Sequence, residues 1–198
     1  LCDLNESIET MLAELNDTHT GLVPSTVKHS GCLLAVTREI EGQAVVVAAH
    51  GIARGAGMTA GSTVSSIDGQ PLEDALKELD PRLTVGSSPQ QRRSRAFHFL
   101  LQTPYGGQRR VRFETPAGER LTETLVCPAD PAAARDAQQR TAYSLFGEDR
   151  KIVSRRLSSG VGYIEVPTFE TDLVAAFDGA LDEQFDAPGL ILDLRANE

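Results

Sequence analysis

Residues 160–169 read Gly-Val-Gly-Tyr-Ile-Glu-Val-Pro-Thr-Phe, and residues 187–198 read Ala-Pro-Gly-Leu-Ile-Leu-Asp-Leu-Arg-Ala-Asn-Glu. An amphipathic stretch lies between them, so the pattern predicts a strand, a crossover helix and a second strand. The second strand, at 190–194, is a nearly unbroken apolar run, which is typical of a parallel sheet covered on both faces. Ligands bind beyond the carboxyl ends of such strands. The chain turns polar there, with Asp193, Arg195 and Asn197.

The same residues resemble the start of the catalytic core in the C-terminal-processing (tail-specific) serine proteases, whose wider family includes tricorn-like proteases. The shared pattern is Gly-Tyr-Ile-x-Val-Pro-x-Phe, a helix, and then Gly-Leu-Ile-Leu-Asp-Leu-Arg-x-Asn. The resemblance implies the first βαβ unit of a crotonase-like (ClpP-like) protease core. It also implies that the nucleophilic serine comes after Glu198. We therefore expect a serine-type peptidase as the longer parent protein and an inactive chain on its own.

Residues 51–71 resemble the core of a PDZ domain, which often reads Ala-Gly-Leu-x-x-Gly-Asp-x-Ile before an Asn/Asp-Gly turn. Here Met58 replaces the leucine and Ser62 replaces the aspartate. The resemblance makes Gly31, Cys32, Leu33 and Leu34 the candidate peptide-binding loop and strand, because PDZ domains hold a terminal carboxylate with backbone amides. An ordinary first strand is the alternative for these four residues.

The rest of this region predicts a mixed β domain with two helices. Strand-like runs occur at 33–36, 44–49 and 64–67, and the last of them is closed by a predicted Asp68-Gly69 turn. A hairpin is predicted around 116–118. Glycines at 51, 55, 57 and 61 predict a loop-rich passage. Pro71 is expected to open one helix, and Ser88 followed by Pro89 has the cap and first-turn residues of another.

The first segment is an amphipathic helix that ends near residues 16–17, and it contains the segment Leu-x-x-Leu-x-Asp-x-His-Thr at 12–20. By resemblance to tricorn-type proteases, His19 is a tentative general base, a task that suits imidazole because its ordinary pKa is about 6.5. In Ser/Lys members the base is a downstream lysine, and His19 would then only support the site. The resemblance also makes Arg195 and Asn197 part of an oxyanion loop. A structural ion pair between Asp193 and Arg195 is the alternative.

These observations predict an α+β or α/β protein in three parts. Residues 1–27 form an N-terminal helical segment that docks on the protease core. Residues 28–130 form the PDZ-like domain. Residues 131–198 are the incomplete start of the protease core.

Composition restricts the function classes. The net charge of −9 disfavours a nucleic-acid partner, because phosphate binding needs a basic face. Arg92, Arg93 and Arg95 are predicted to be the solvated face of a helix. No apolar run approaches the roughly 20 residues of a membrane span. The three cysteines lack metal-ligand spacing, and Cys32 and Cys127 are predicted to be buried free thiols, with at most one internal disulfide. We expect no metal and no organic cofactor.

The predicted function is hydrolysis of peptide bonds in unfolded or C-terminally exposed protein and peptide substrates, with the PDZ-like domain recognising the substrate C-terminus or gating access. A non-catalytic ligand- or peptide-binding protein on the same fold is the alternative. The resemblance further implies an extracytoplasmic (periplasmic or secreted) location, and it allows for a homo-oligomer.

Overall fold

The computed structural model describes residues 2–17, 19–22, 31–49, 51–134, 151–169 and 171–194. The chain divides into two compact units, Leu1–Thr141 and Ala142–Glu198. The architecture is mixed α+β, as the sequence predicts, with antiparallel sheets and few helices. None of the helices within the described residues has the length and apolar character of a membrane span.

The first unit contains four helices and eight strands whose bounds lie within its described residues, and residues 131–134 are also helical. The helices are α1 (Cys2–Ala13), α2 (Gly51–Gly55), α3 (Leu72–Lys77) and α4 (Pro89–His98). The strands are β1 (Gly31–Leu33), β2 (Ala35–Ile40), β3 (Gln43–Ala49), β4 (Thr63–Ile67), β5 (Gln70–Pro71), β6 (Gln102–Pro104), β7 (Gln108–Glu114) and β8 (Arg120–Val126).

The main sheet of this unit is antiparallel, in the order β2-β3-β4-β7-β8, with β5 beside β4 and a separate β1–β6 pair. The predicted strands at 44–49 and 64–67 and the hairpin around 116–118 are confirmed, whereas the predicted strand at 33–36 is interrupted at Leu34 and divided between β1 and β2. The Asp68-Gly69 turn follows β4, with φ of 53° and 85°. Ser88 caps α4 as predicted, because its hydroxyl accepts the backbone N–H of Gln91 at 3.1 Å.

The core of the first unit lies between this sheet and its helices. Its largest fully buried side chains are Phe97, Phe113, Met58, Leu100, Leu101 and Leu125. Alternation along β3 and β7 buries every second residue, as expected for strands with one covered face. The predicted loop-rich passage marked by the glycines at 51, 55, 57 and 61 is wrong in part, since residues 51–55 form α2. Burial of Ala53 and Met58 there overrides the glycine-rich local signal.

A disulfide joins Cys32 to Cys127, with 5.7 Å between their Cα atoms. The prediction of buried free thiols is therefore wrong for these two cysteines, although both are buried. The sequence could not reveal the pairing, because 95 residues separate the partners and only the tertiary fold brings β1 beside the end of β8.

Helix α1 belongs to the first unit and contacts Arg82, whose guanidinium lies 3.1 Å from the Glu6 carboxylate. Leu4, Met11 and Leu15 on its apolar stripe are exposed. The docking of this helix on the protease core stays a prediction, as do the predicted domain boundaries.

The second unit contains β9 (Val153–Arg156), β10 (Gly162–Glu165), α5 (Val174–Glu183) and β11 (Leu190–Asp193), with a short 3₁₀ turn at Thr171–Leu173. The sheet order is β11-β10-β9, and β10 and β11 are parallel. The predicted strand, crossover helix and second strand are thus confirmed. Ile164, Val166 and Ala180 form the buried cluster between the sheet and α5.

Strand β11 differs from the prediction of a strand covered on both faces. Leu190, Ile191 and Leu192 are 45%, 46% and 46% exposed. The reason is that β11 is the edge of a three-stranded sheet, so within the described residues β10 is its only strand neighbour.

Candidate functional site

The parallel register of β10 and β11 brings two carboxylates together at the carboxyl ends of the strands. Glu165 lies directly opposite Asp193 in the ladder. The ladder continues past both strands, because the Val166 N–H donates to the Asp193 carbonyl at 3.0 Å. This is the sheet edge at which the sequence predicts a site.

Tyr163 connects these two strand ends. Its hydroxyl donates to Asp193 Oδ2 at 2.6 Å, and the phenol oxygen lies 3.3 Å from Glu165 Oε2. The guanidinium of Arg155, from β9, lies 4.5 Å from the centre of the tyrosine ring. Asp193 is buried, and a hydrogen-bonded phenol is a favourable partner for a buried carboxylate.

A shallow groove of about 660 Å³ lies beside this cluster. It is lined by Arg155, Leu157, Tyr163 and the four residues at 191–194. Apolar walls with a few convergent polar groups are typical of a binding site. Sequence reasoning missed Tyr163. The signal was its position two residues before Glu165, which places both side chains on one face of β10.

The other predicted residues at this edge, Arg195 and Asn197, lie outside the described residues. Their role in an oxyanion loop stays a prediction, and so does the alternative ion pair between Asp193 and Arg195.

His19 lies in a turn after α1 and is highly exposed, with 94% of its side chain accessible. Its Nδ1 is 3.5 Å from Asp17 Oδ1, and its backbone N–H donates to the same oxygen at 3.1 Å. The Thr20 hydroxyl donates to Asp17 Oδ2 at 2.7 Å. The Thr20 hydroxyl and then the His19 N–H lower the pKa of Asp17, because both hydrogen bonds favour the carboxylate.

This carboxylate–imidazole pairing is the arrangement that orients a histidine in acid–base catalysis. Full exposure is unusual for a working base. A structural role for the turn is equally compatible with these contacts, so both roles of His19 stay predictions.

The candidate peptide-binding segment Gly31–Leu34 is buried. Gly31, Cys32 and Leu33 form β1, which pairs with β6, and the Leu34 N–H donates to the Leu101 carbonyl at 3.3 Å. A Cβ atom at residue 31 would lie 2.0 Å from the Thr103 carbonyl oxygen, so this position requires glycine. The segment is thus a strand with a sheet partner, and carboxylate capture by it stays a prediction.

The sequence predicts that the arginines of α4 form a solvated face, and Arg93 is exposed, but all three have partners within the protein. Arg93 binds Glu39 and Glu73, Arg92 donates to the Gly86 carbonyl at 2.8 Å, and Arg95 donates to the Leu83 carbonyl at 3.2 Å. Intramolecular partners therefore use these charges.

Neither a protein-family model nor a curated protein matches this chain. Among solved structures, mature CPAF matches over 91% of this chain and 43% of its own chain, with 16% identity and a TM-score of 0.54. This chain is similar in fold to mature CPAF. The photosystem II D1 C-terminal processing protease matches over 98% and 49%, with 20% identity and a TM-score of 0.34. The tricorn protease matches over 82% and 15%, with 16% identity and a TM-score of 0.34.

Two of the three matched structures are named as proteases, one a C-terminal processing protease and the other the tricorn protease. At these identities the similarity to CPAF establishes a shared fold. The chain spans less than half the length of each of the three matched structures.

Proposed function

We propose that this chain is part of a serine endopeptidase of the tail-specific or tricorn-like type, with a PDZ-like domain and the start of a crotonase-like core. The observation that supports this proposal most directly is the parallel β10–α5–β11 unit. The carboxyl ends of its two strands lie side by side, next to the groove and the Tyr163–Asp193 pair. The similarity in fold to mature CPAF supports the same proposal.

The proposed reaction is attack of a serine hydroxyl on a peptide carbonyl, followed by hydrolysis of the acyl-enzyme. The serine would follow residue 198 in the parent protein. The test is labelling of that protein with a serine-directed fluorophosphonate, beside a variant in which the labelled serine is replaced by alanine. A protein that folds, binds peptides and takes no label would instead support a non-catalytic binding protein.

We further propose that the PDZ-like domain captures an extended peptide along β2. Among the described residues this strand is the edge of its sheet, and the two-residue turn at Glu41 and Gly42 has φ of 52° and 76°. Such a turn makes its flanking pair hydrogen-bonded, and hydrogen-bonded pairs then alternate along the ladder. The N–H and C=O groups of Thr37 and Glu39 therefore point away from β3, toward the side on which an added strand would pair once the buried Thr37 is uncovered.

We expect the peptide to be held at an apolar free C-terminus, with Gly31–Leu34 nearby as its carboxylate loop. Labelled peptides that end in a free carboxylate should bind the 198-residue chain more tightly than the same peptides with an amidated end. Fluorescence anisotropy measures both affinities. Equal affinities would show that the terminal carboxylate does not contribute to binding, so that only strand pairing along β2 would remain of the proposal.

His19 is proposed to act near the nucleophile in the parent protein, as base or as support. The change His19→Ala distinguishes these roles through kcat, because loss of a general base costs about 10²–10⁴-fold. A supporting residue should cost much less. Asp17→Asn is the matched variant, since it removes the carboxylate beside the imidazole. Unchanged kcat and KM in both variants would exclude either role.

We propose an extracytoplasmic location for the parent protein. The Cys32–Cys127 disulfide supports it, because such bonds persist in oxidising compartments and are rare in the cytosol. We also propose that the parent protein acts on unfolded or C-terminally exposed proteins and peptides and that it forms a homo-oligomer. The absence of cofactors stays a prediction.

A further inference from the structure

Hydrogen bonds join helix α4 to the edge strand β2 at two points. Arg93, on α4, donates to both carboxylate oxygens of Glu39, on β2, at 2.8 Å each. Its remaining N–H groups reach Glu73, on α3, at 2.9 and 3.3 Å. One helical turn later, the Phe97 carbonyl accepts a 2.5 Å hydrogen bond from the Thr37 hydroxyl.

Thr37 and Glu39, the two β2 residues that contact α4 in this way, are also the residues whose backbone N–H and C=O groups point away from β3. An added strand would lie about 4.8 Å beside β2, and alternate side chains of that strand would enter between β2 and α4. Phe97 and Thr37 are fully buried there. Their direct hydrogen bond leaves no space for a further side chain at that point.

Of these two contacts, the one that Arg93 makes with Glu39 and Glu73 is the one that solvent can reach. The side chains of Arg93, Glu39 and Glu73 are 42%, 32% and 56% exposed. The Glu39 and Glu73 carboxylates raise the pKa of the Arg93 guanidinium, so this side chain keeps its positive charge at every pH at which the protein is folded. Salt screens exposed charges of this kind, whereas the Thr37–Phe97 contact is shielded.

We propose that Glu39, Arg93 and Glu73 form a latch that holds α4 against β2 and keeps the peptide-binding edge closed until it is released. The proposal rests on the proposed capture of peptides at β2. In a closed–open equilibrium the apparent dissociation constant equals the intrinsic one divided by the open fraction. The latch therefore weakens peptide binding without touching the peptide.

Binding is measured with a fluorescein-labelled peptide of alternating Ser and Val that ends in a free Leu carboxylate. Arg93→Gln should bind it about fivefold more tightly than the wild-type chain, the effect expected for loss of exposed ion pairs. Raising salt from about 0.1 M to about 1 M should tighten wild-type binding and leave the variant nearly unchanged. Arg110→Gln is the control, because it removes the same charge from an exposed position on β7.

Amide hydrogen exchange measures how often the latch opens in the absence of a peptide. Amides at 35–40 should exchange faster in Arg93→Gln than in the wild type, and those at 108–114 should not change. Faster exchange at 35–40 with no peptide binding in any variant would refute peptide capture and support the latch. Unchanged exchange would overturn the latch, and peptide binding by both proteins would then leave the proposed capture intact.

Discussion

The 198-residue chain alone should leave an unfolded protein substrate intact, whereas the longer parent protein should cleave it. The proposed nucleophile follows Glu198. Loss of the nucleophile in a serine protease lowers turnover on the order of 10⁶-fold. This is the largest effect expected of any change considered for this protein.

The exposure of β11 should lower the peptidase activity of the 198-residue chain further. The residual rate of an enzyme without its nucleophile comes from the oxyanion site and from substrate binding. In this chain Leu190, Ile191 and Leu192 are half exposed at the edge of the sheet, and the groove beside Tyr163 is shallow. We therefore expect even that residual activity to be missing.

Release of fluorescent peptides from a labelled, unfolded casein measures the activity of both proteins. The controls are the short chain with Ser158→Ala and with Ser159→Ala, since both serines lie in the turn before β10. Cleavage by the short chain that either change abolishes would contradict a downstream nucleophile, and with it most of the proposed function.

Loss of the Cys32–Cys127 disulfide should destabilise the first unit by about 4.7 kcal/mol, the value that loop-closure entropy assigns to a crosslink of this span. A typical domain is stable by only 5–15 kcal/mol, so this loss is a large share of the total. The effect should be large because the bond closes a loop of 95 residues and ties β1 to the end of β8.

Urea denaturation of the double variant Cys32→Ala/Cys127→Ala, beside Cys2→Ala, measures this loss. The double variant should unfold at a lower urea concentration, and a reductant should shift the wild type alike. Cys2→Ala should respond to the reductant as the wild type does, because it keeps the bond. Three titratable thiols in the denatured, unreduced wild-type chain would contradict the disulfide.

Local chemistry explains what was predictable in the fold. The Asp68-Gly69 turn and the Ser88-Pro89 cap depend on residues adjacent in sequence, and both were found where predicted. The strand, helix and strand at 162–193 followed from apolar periodicity. Helix α2 was missed because burial of Ala53 and Met58 outweighs the glycine content of that segment.

The candidate site was only partly predictable. The sequence indicated the edge of the sheet that carries Asp193, because parallel strands end together there. It did not reveal the hydrogen bond from Tyr163, since that contact depends on the register between two strands. Arg93 was assigned to solvent because Glu39, its partner, lies 54 residues earlier in the chain.

The sequence by itself determined the Asp68-Gly69 turn, the Ser88 cap and the motif that marks a parallel βαβ unit, because these depend on neighbouring residues and on periodicity. The tertiary structure alone decided the Cys32–Cys127 bond, the Tyr163–Asp193 pair and the Arg93 contacts with Glu39 and Glu73. Each of these needs two distant segments at one distance and register, which is a property of packing that no local pattern encodes.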